Sequence, residues 1–238
     1  MVKTERLRSE SLTPAQRTPL FDRLYAVYSE TMWGHTREEF EKHLLSAGDL
    51  SLTLYYGDRG EFAGFAYIAI QSVEHGRKPV AAFSAGGFFR PGYHGGVAGM
   101  LFGLREAIRF KLRRPRTALG YLSRTSSPAA YQLFVKTMPL VYPNRFRQTP
   151  VDIESLVRAI GERRRYVRVG ESPWVVHSDA VPRDASRLRR LVDDADARFC
   201  VQLNPRFAEG EALLIWIPLN AATIVGGLYR QVRLRLGR

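Results

Sequence analysis

The sequence predicts a mixed α/β fold, with helices and strands packed in layers. Three features carry this expectation. Residues 51–89 hold three segments rich in strand formers, separated by the turn groups Asp58-Arg59-Gly60 and Glu74-His75-Gly76, as in an antiparallel meander. Ahead of the meander, apolar residues recur at helical spacing behind capping residues. Behind it, a helical segment separates the third meander strand from another strand, which lets those two lie parallel through a right-handed crossover.

In chain order, residues 2–10 are expected as a first strand. Thr13-Pro14 is an N-cap followed by proline at the first helical position, and Phe21, Leu24, Tyr25 and Tyr28 continue as one apolar face. Gly34-His35 interrupts this helix. Thr36 and Glu39 form a capping box that opens a second helix over 37–46, which Gly48 ends. The meander strands fall at 51–56, 61–73 and 78–89. In the helix that follows, Val97, Leu101, Leu104, Ile108 and Leu112 fall on one face. Residues 117–123 form another strand, and Ser127-Pro128 opens a helix running to about residue 138. Pro143 and Pro150 mark 141–150 as a linker. Beyond it, 151–165 are expected as helix, 174–177, 198–203 and 212–218 as strands, and Asn220 as the N-cap of a last helix. The expected division is a core over 1–140, a linker over 141–150 and an α/β extension over 151–238.

Apolar residues make up 45% of the 238, enough for a packed interior rather than disorder. Cys200 is the one cysteine, which excludes an internal disulfide and a cysteine-based zinc site, and no metal is expected. A reducing compartment follows, and the charged start MVKTERLRSESL has no apolar core of a secretory signal. The chain is therefore expected in the cytoplasm, free or membrane-associated. Its net charge of +13 favours polyanionic partners: nucleic acid, anionic lipid or an acidic carrier protein. No helix-turn-helix, zinc finger or RNP motif is present, which places nucleic acid last.

The most informative segment is Phe88-Phe89-Arg90-Pro91-Gly92-Tyr93-His94-Gly95-Gly96-Val97-Ala98-Gly99. A strand ends, glycines permit close backbone approach, and a helix begins. Amide N–H groups at such a helix N-terminus, with the helix dipole, suit a diphosphate. Gly86-Gly87, inside the preceding strand, points to a bulge or a close backbone approach.

The segment resembles the donor loop of the GNAT superfamily of N-acyltransferases, which commonly reads hydrophobic-x-Pro-Glu-Tyr-Arg-Gly-x-Gly-x-Gly/Ala. Phe89, Pro91, Tyr93, Gly95 and Gly99 match it, while Gly92, His94 and Val97 stand where the pattern has Glu, Arg and Gly. Ser127, Ala130, Leu133, Phe134 and Lys136 follow the spacing of a later family helix, with Ser127 replacing Asn and Phe134 replacing Tyr. The resemblance covers residues 2–138. It implies a GNAT-like acyltransferase core and an acyl-CoA donor. Gly95, Gly96, Val97, Ala98 and Gly99 would bind phosphate through amides, His94 and Ser127 would add side-chain contacts, and Gly86, Gly87, Phe88 and Phe89 would hold the thioester. An amide near Phe88 would polarise its carbonyl.

The departures bear on the chemistry. The family tyrosine often protonates the leaving thiolate, and Phe134 has no proton to give. A loop weaker for coenzyme A leaves a second donor open: a phosphopantetheine arm on an acidic acyl carrier protein, drawn by the basic surface. No Asp or Glu falls on 78–89 or 117–123, where bases often sit in this family. Tyr131 and Ser123 are the candidate hydroxyls, a core tyrosine being the plainer reading of Tyr131. Glu30 and His35, at the break between the first two helices, border the acceptor pocket that the resemblance implies.

Residues 212–229 carry no charge, and Arg230, Arg233, Arg235 and Arg238 follow. Pro218, Asn220, Gly226 and Gly227 speak against a simple membrane span. The basic tail over 220–238 would lie on an anionic membrane or pack as a surface helix. The expected function is transfer of an acyl group from an acyl-CoA or acyl-carrier-protein thioester to an amine, with a lipidic acceptor if the tail contacts membrane. The alternative is a non-catalytic GNAT-like domain that recognises an acyl ligand, a membrane surface or a protein partner.

Overall fold

The structure is a computed structural model and describes residues 3–45, 49–76, 78–93, 96–178, 180–183 and 193–236, with backbone alone at 49, 96–101, 231, 234 and 235. Its seven sheet strands are β1 (Lys3–Arg8), β2 (Asp49–Tyr56), β3 (Phe62–His75), β4 (Lys78–Phe89), β5 (Ala118–Thr125), β6 (Val175–His177) and β7 (Glu211–Pro218). The helices are α1 (Pro14–Thr31), α2 (Arg37–Leu45), α3 (Gly96–Arg113), α4 (Pro128–Thr137), α5 (Val151–Arg163), α6 (Ala195–Leu203) and α7 (Ala221–Leu236). The mixed α/β class is as expected. The chain divides into two compact units, residues 1–72 with 83–117 and residues 73–82 with 118–238. The division cuts through β3 and β4.

In the first unit the strand order is β1-β2-β3-β4. β2 pairs antiparallel with β1, Leu52 opposite Leu7, and with β3, Leu54 opposite Phe65. Side chains alternate across β2, and both faces are covered. Leu50, Leu52 and Leu54 are buried on one face, where Phe40 of α2 packs at 6.2 Å on Phe65. Ser51, Thr53 and Tyr55 are buried on the other, where Glu106 of α3 reaches the Ser51 hydroxyl at 3.5 Å and Arg8 at 3.5 Å.

The α1 and α2 starts follow their capping residues. Thr13 accepts from the Gln16 amide at 3.4 Å, and Gln16 accepts from the Thr13 amide at 3.0 Å. Thr36 and Glu39 exchange the same pair of bonds at 3.2 and 2.8 Å. The end expected for α2 at Ser46–Gly48 lies outside the described residues. Of the apolar stripe on α3, Leu104 is half-buried. Ile108 and Leu112 are exposed, and Phe102, Glu106 and Ala107 are buried. The helix is rotated so that Glu106 meets Arg8, a long-range pairing that periodicity alone does not reveal.

In the second unit the order is β4-β5-β7-β6. β7 reads Glu-Ala-Leu-Leu-Ile-Trp-Ile-Pro and is buried over its first seven residues, as a central strand covered on both faces requires. It pairs antiparallel with β5, Leu122 opposite Trp216. A Cβ on Gly120 would lie 2.0 Å from the Trp216 ring, so only glycine admits the indole there. The core gathers Trp216, Val157, Ile160, Tyr131 and Cys200.

One expectation for this unit is corrected. Residues 195–203 form helix α6, where a strand was expected over 198–203. Asp194 caps it by accepting from the Asp196 and Ala197 amides, both at 3.0 Å, and Ala197 and Cys200 are buried one helical turn apart. Residues 141–150 begin against the sheet. Val141 and Tyr142 are buried, and Tyr142 exchanges backbone bonds with Trp216 at 2.9 and 2.8 Å.

Candidate functional site

The first unit places the end of β4 between two differently covered faces. Phe88 turns to the side of the α1–α2 hairpin, with its ring 5.3 Å from Phe65 and 5.2 Å from Tyr28. Phe89, one residue on, turns to the opposite face and lies 5.3 Å from Tyr55. The Arg90 amide then donates to the Ala63 carbonyl at 3.0 Å, and the chain leaves the sheet. Gly92 has φ +88°, a left-handed conformation that favours glycine. The Tyr93 amide donates to the Arg90 carbonyl at 3.0 Å, and the Tyr93 hydroxyl donates to Glu61. That bond holds the Glu61 carboxyl below its ordinary range and raises the Tyr93 phenol. Helix α3 begins three residues later at Gly96.

The expected phosphate binders therefore divide into two groups. Gly96, Val97, Ala98 and Gly99 form the first turn of α3, where backbone N–H groups have no partner within the helix. His94 and Gly95 lie outside the described residues.

The two glycines expected on the thioester side sit within an unbroken strand. A Cβ on Gly86 would lie 2.4 Å from the Tyr67 ring, so this glycine makes room for a neighbouring aromatic. Gly87 is exposed, 3.1 Å from the Phe89 ring by the same measure. Gly64 was not singled out in the sequence, yet its Cβ position falls 2.4 Å from the Phe88 carbonyl oxygen. Its opposition to Phe88 depends on strand register, which the sequence around Gly64 does not state.

Glu30 and His35 also belong to this unit. Glu30 Oε1 lies 3.1 Å from Arg90 Nε. The His35 ring lies 6.0 Å from Tyr28 and stacks on His43 at 5.6 Å, and the His35 carbonyl accepts from the Tyr25 hydroxyl at 2.9 Å. An acid, an imidazole and an aromatic cluster thus adjoin the helical hairpin against which Phe88 packs.

The remaining candidates lie in the second unit. Ser127 caps α4, its hydroxyl accepting from the Ala130 amide at 3.3 Å. Ser123 is buried and hydrogen-bonds Tyr121, whose phenol is raised chiefly by burial. Tyr131 has no exposed surface, and its hydroxyl donates to the Pro143 carbonyl at 3.0 Å. Burial pushes its phenol well above the ordinary value. This places Tyr131 as a core tyrosine. Cys200 is likewise buried, its thiol pushed up to about 12, so it is no nucleophile at neutral pH. Among the described residues no group of three His, Cys, Asp or Glu could hold a metal ion.

No protein-family model and no curated protein matches this sequence. Solved structures do. The chain is similar to N-acetyltransferases of the GNAT family. One is the glucosamine N-acetyltransferase region of a fungal multi-domain β-N-acetylglucosaminidase, at 14% identity and a TM-score of 0.35 over 74% of this chain and 18% of that one. Another is a GNAT acetyltransferase from Elizabethkingia anophelis with acetyl-CoA bound, at 15% identity and 0.31 over 60% and 81%. A third, from Streptococcus pneumoniae, has 18% identity and 0.33 over 61% and 94%. The chain thus spans under a fifth of the length of the first.

Proposed function

We propose that this chain is an N-acyltransferase that moves an acyl group from a phosphopantetheine thioester to an amine. The observation that carries this reading is the run from Phe88 to Gly99. An extended strand end with one face under the α1–α2 hairpin passes through a left-handed glycine turn into the N-terminus of α3. The first-turn amides of Gly96–Gly99 would bind the diphosphate, with the positive end of the helix dipole behind them. Gly86–Phe89 would hold the pantetheine arm alongside β4, and the Phe88 amide would donate to the thioester carbonyl.

In this reading the neutral amine attacks the thioester carbonyl carbon, the C–S bond breaks, and the amine proton passes to a base while the thiolate leaves and is protonated. His35 is assigned as the base because it lies in the same hairpin as Tyr28. Glu30, paired with Arg90, holds that hairpin against the strand end. Two donors present the same arm: acyl-CoA and acyl carrier protein. The exposed Arg105, Arg113, Arg114 and Arg116 around the C-terminal half of α3 favour an acidic carrier.

The test measures binding of acetyl-CoA, a long-chain acyl-CoA and an acyl carrier protein, together with thiol release on addition of amines. Gly99→Glu places a negative charge in the α3 first turn and is expected to weaken donor binding at least about tenfold. Unchanged binding would remove the phosphate site from this position. Firm thioester binding without thiol release under any amine would favour the non-catalytic reading, which the loss of the family hydroxyl at Phe134 supports.

A further inference from the structure

We infer that α7 is a membrane-surface helix that lays an apolar stripe, with arginine on its flank, onto anionic phospholipid. In most helices of this chain the apolar face is covered, but α7 is the reverse. Val225, Leu228, Tyr229, Val232 and Leu236 are 64, 44, 63, 53 and 81% exposed. At 3.6 residues per turn these five positions share an arc of roughly 100°. Thr223 and Gly227, on the opposite side, are buried.

That opposite side is fixed in place. Cβ positions on Gly226 and Gly227 would fall 3.0 Å from Pro139 and 3.1 Å from Met138, so the two glycines let α7 settle close against the end of α4. Arg230 adds bonds from its guanidinium to the Met138 carbonyl at 2.7 Å and the Val135 carbonyl at 3.3 Å, occupying acceptors that the end of α4 leaves open. Asn220 caps the start of α7 through the Thr223 amide at 2.8 Å. With one face held this way, α7 does not roll its stripe inward.

Charge selects the occupant. No Asp or Glu follows Glu211, while Arg230, Arg233, Arg235 and Arg238 do. Arg233 is exposed beside the stripe. A second copy of α7 would bring arginines against arginines with no acid to offset them, whereas an anionic lipid surface neutralises them. Tyr229 suits the boundary between headgroups and acyl chains. The helix has 16 residues, so at 1.5 Å each it measures about 24 Å, short of the hydrocarbon core. No described helix is long and apolar enough to cross a membrane. The geometry is that of a helix lying in the interface plane.

The experiment co-sediments the full chain with phosphatidylcholine vesicles with and without phosphatidylserine, at low and high salt, alongside sedimentation velocity without lipid. Expected results are binding that requires phosphatidylserine, weakens with salt, and falls at least about tenfold in Leu228→Glu/Val232→Glu. Both substitutions sit at exposed positions, and circular dichroism checks the fold. Arg233→Gln, which leaves the stripe intact, is expected to weaken binding to a lesser degree. Failure to bind anionic vesicles, equal binding to neutral ones, or a double variant that binds as the parent does would overturn the inference. So would a parent dimer that the double variant dissolves, which would assign the stripe to a second copy.

Discussion

Arg90 Nε lies 3.1 Å from Glu30 Oε1, joining the last turn of α1 to the residue that follows β4. Each side chain is 39% exposed, so the pair contributes little to stability, no more than about 1 kcal/mol. Its consequence is positional, because it fixes the hairpin that carries His35 relative to Phe88. Glu30→Gln is therefore expected to leave the melting temperature nearly unchanged and to lower acyl-transfer turnover about tenfold. Thermal melts and thiol-release kinetics on the same preparation check this. A large drop in melting temperature with normal turnover per folded molecule would make the pair structural.

Gly64 gives a sharper perturbation of the same strand end. A Cβ there would fall 2.4 Å from the Phe88 carbonyl oxygen and 2.8 Å from the Phe89 Cα, and backbone atoms yield less readily than a side-chain tip. Gly64→Ala is expected to cost about 1–3 kcal/mol in urea unfolding, as overpacking does. Donor affinity should fall with it, because the displaced atoms belong to the segment assigned to the thioester. Gly60→Ala is the control for a glycine with nothing within 4 Å: its φ of +80° makes it costly too, but donor affinity should hold.

Local chemistry was legible in the sequence and long-range pairing was not. The Thr36–Glu39 box, the Asn220 cap and the turn at Asp58-Arg59-Gly60 are set by neighbours a few residues apart and match the structure, whereas Glu74 and His75, expected in a turn, continue β3. Residues 198–203 resemble a strand because Phe199, Cys200 and Val201 favour strands when considered alone. The deciding group is Asp194, whose cap starts the helix outside that window. The backbone pairing of Tyr142 with Trp216 joins residues far apart in the chain, which local sequence does not state. Within the site, the glycine loop and its strand were readable from composition. The roles of Gly64, Arg90 and Tyr28 depend on strand register and on where the hairpin folds back.

Asp194 predicts a stability change in acid. Burial acts to raise its carboxyl, but bonds from Gln132, the Ala197 amide and Lys136, at 3.1 Å, outweigh it and hold the group at about 2 against an ordinary 3.8. A carboxyl depressed on folding adds stability above its unfolded value and loses it as pH falls through the folded one. The stabilisation, at most about 2 kcal/mol, is complete above about pH 5 and fades between about pH 4 and 2. Asp194→Asn keeps a capping oxygen but not the charge. Its melting temperature should lie below the parent's at neutral pH, and the two should converge as the parent loses stability in that acid window. Parallel curves would assign the stabilisation elsewhere.

Two buried tyrosines should respond in opposite directions to loss of the same atom. The Tyr131 hydroxyl donates to the Pro143 carbonyl, whereas the Tyr55 hydroxyl, equally buried, has no hydrogen-bond partner among the described residues. Removing the first leaves a carbonyl unsatisfied, while removing the second relieves a desolvated polar group and keeps the ring against Phe89. Tyr131→Phe is expected to destabilise by about 1–2 kcal/mol, with turnover per folded molecule unchanged. Tyr55→Phe is expected to stabilise by up to about 1 kcal/mol. Urea titrations of the two variants beside the parent decide the matter. A loss of turnover in Tyr131→Phe that exceeds its loss of folded protein would return that hydroxyl to the list of catalytic candidates, and destabilisation by Tyr55→Phe would mean its hydroxyl is solvated in the folded chain.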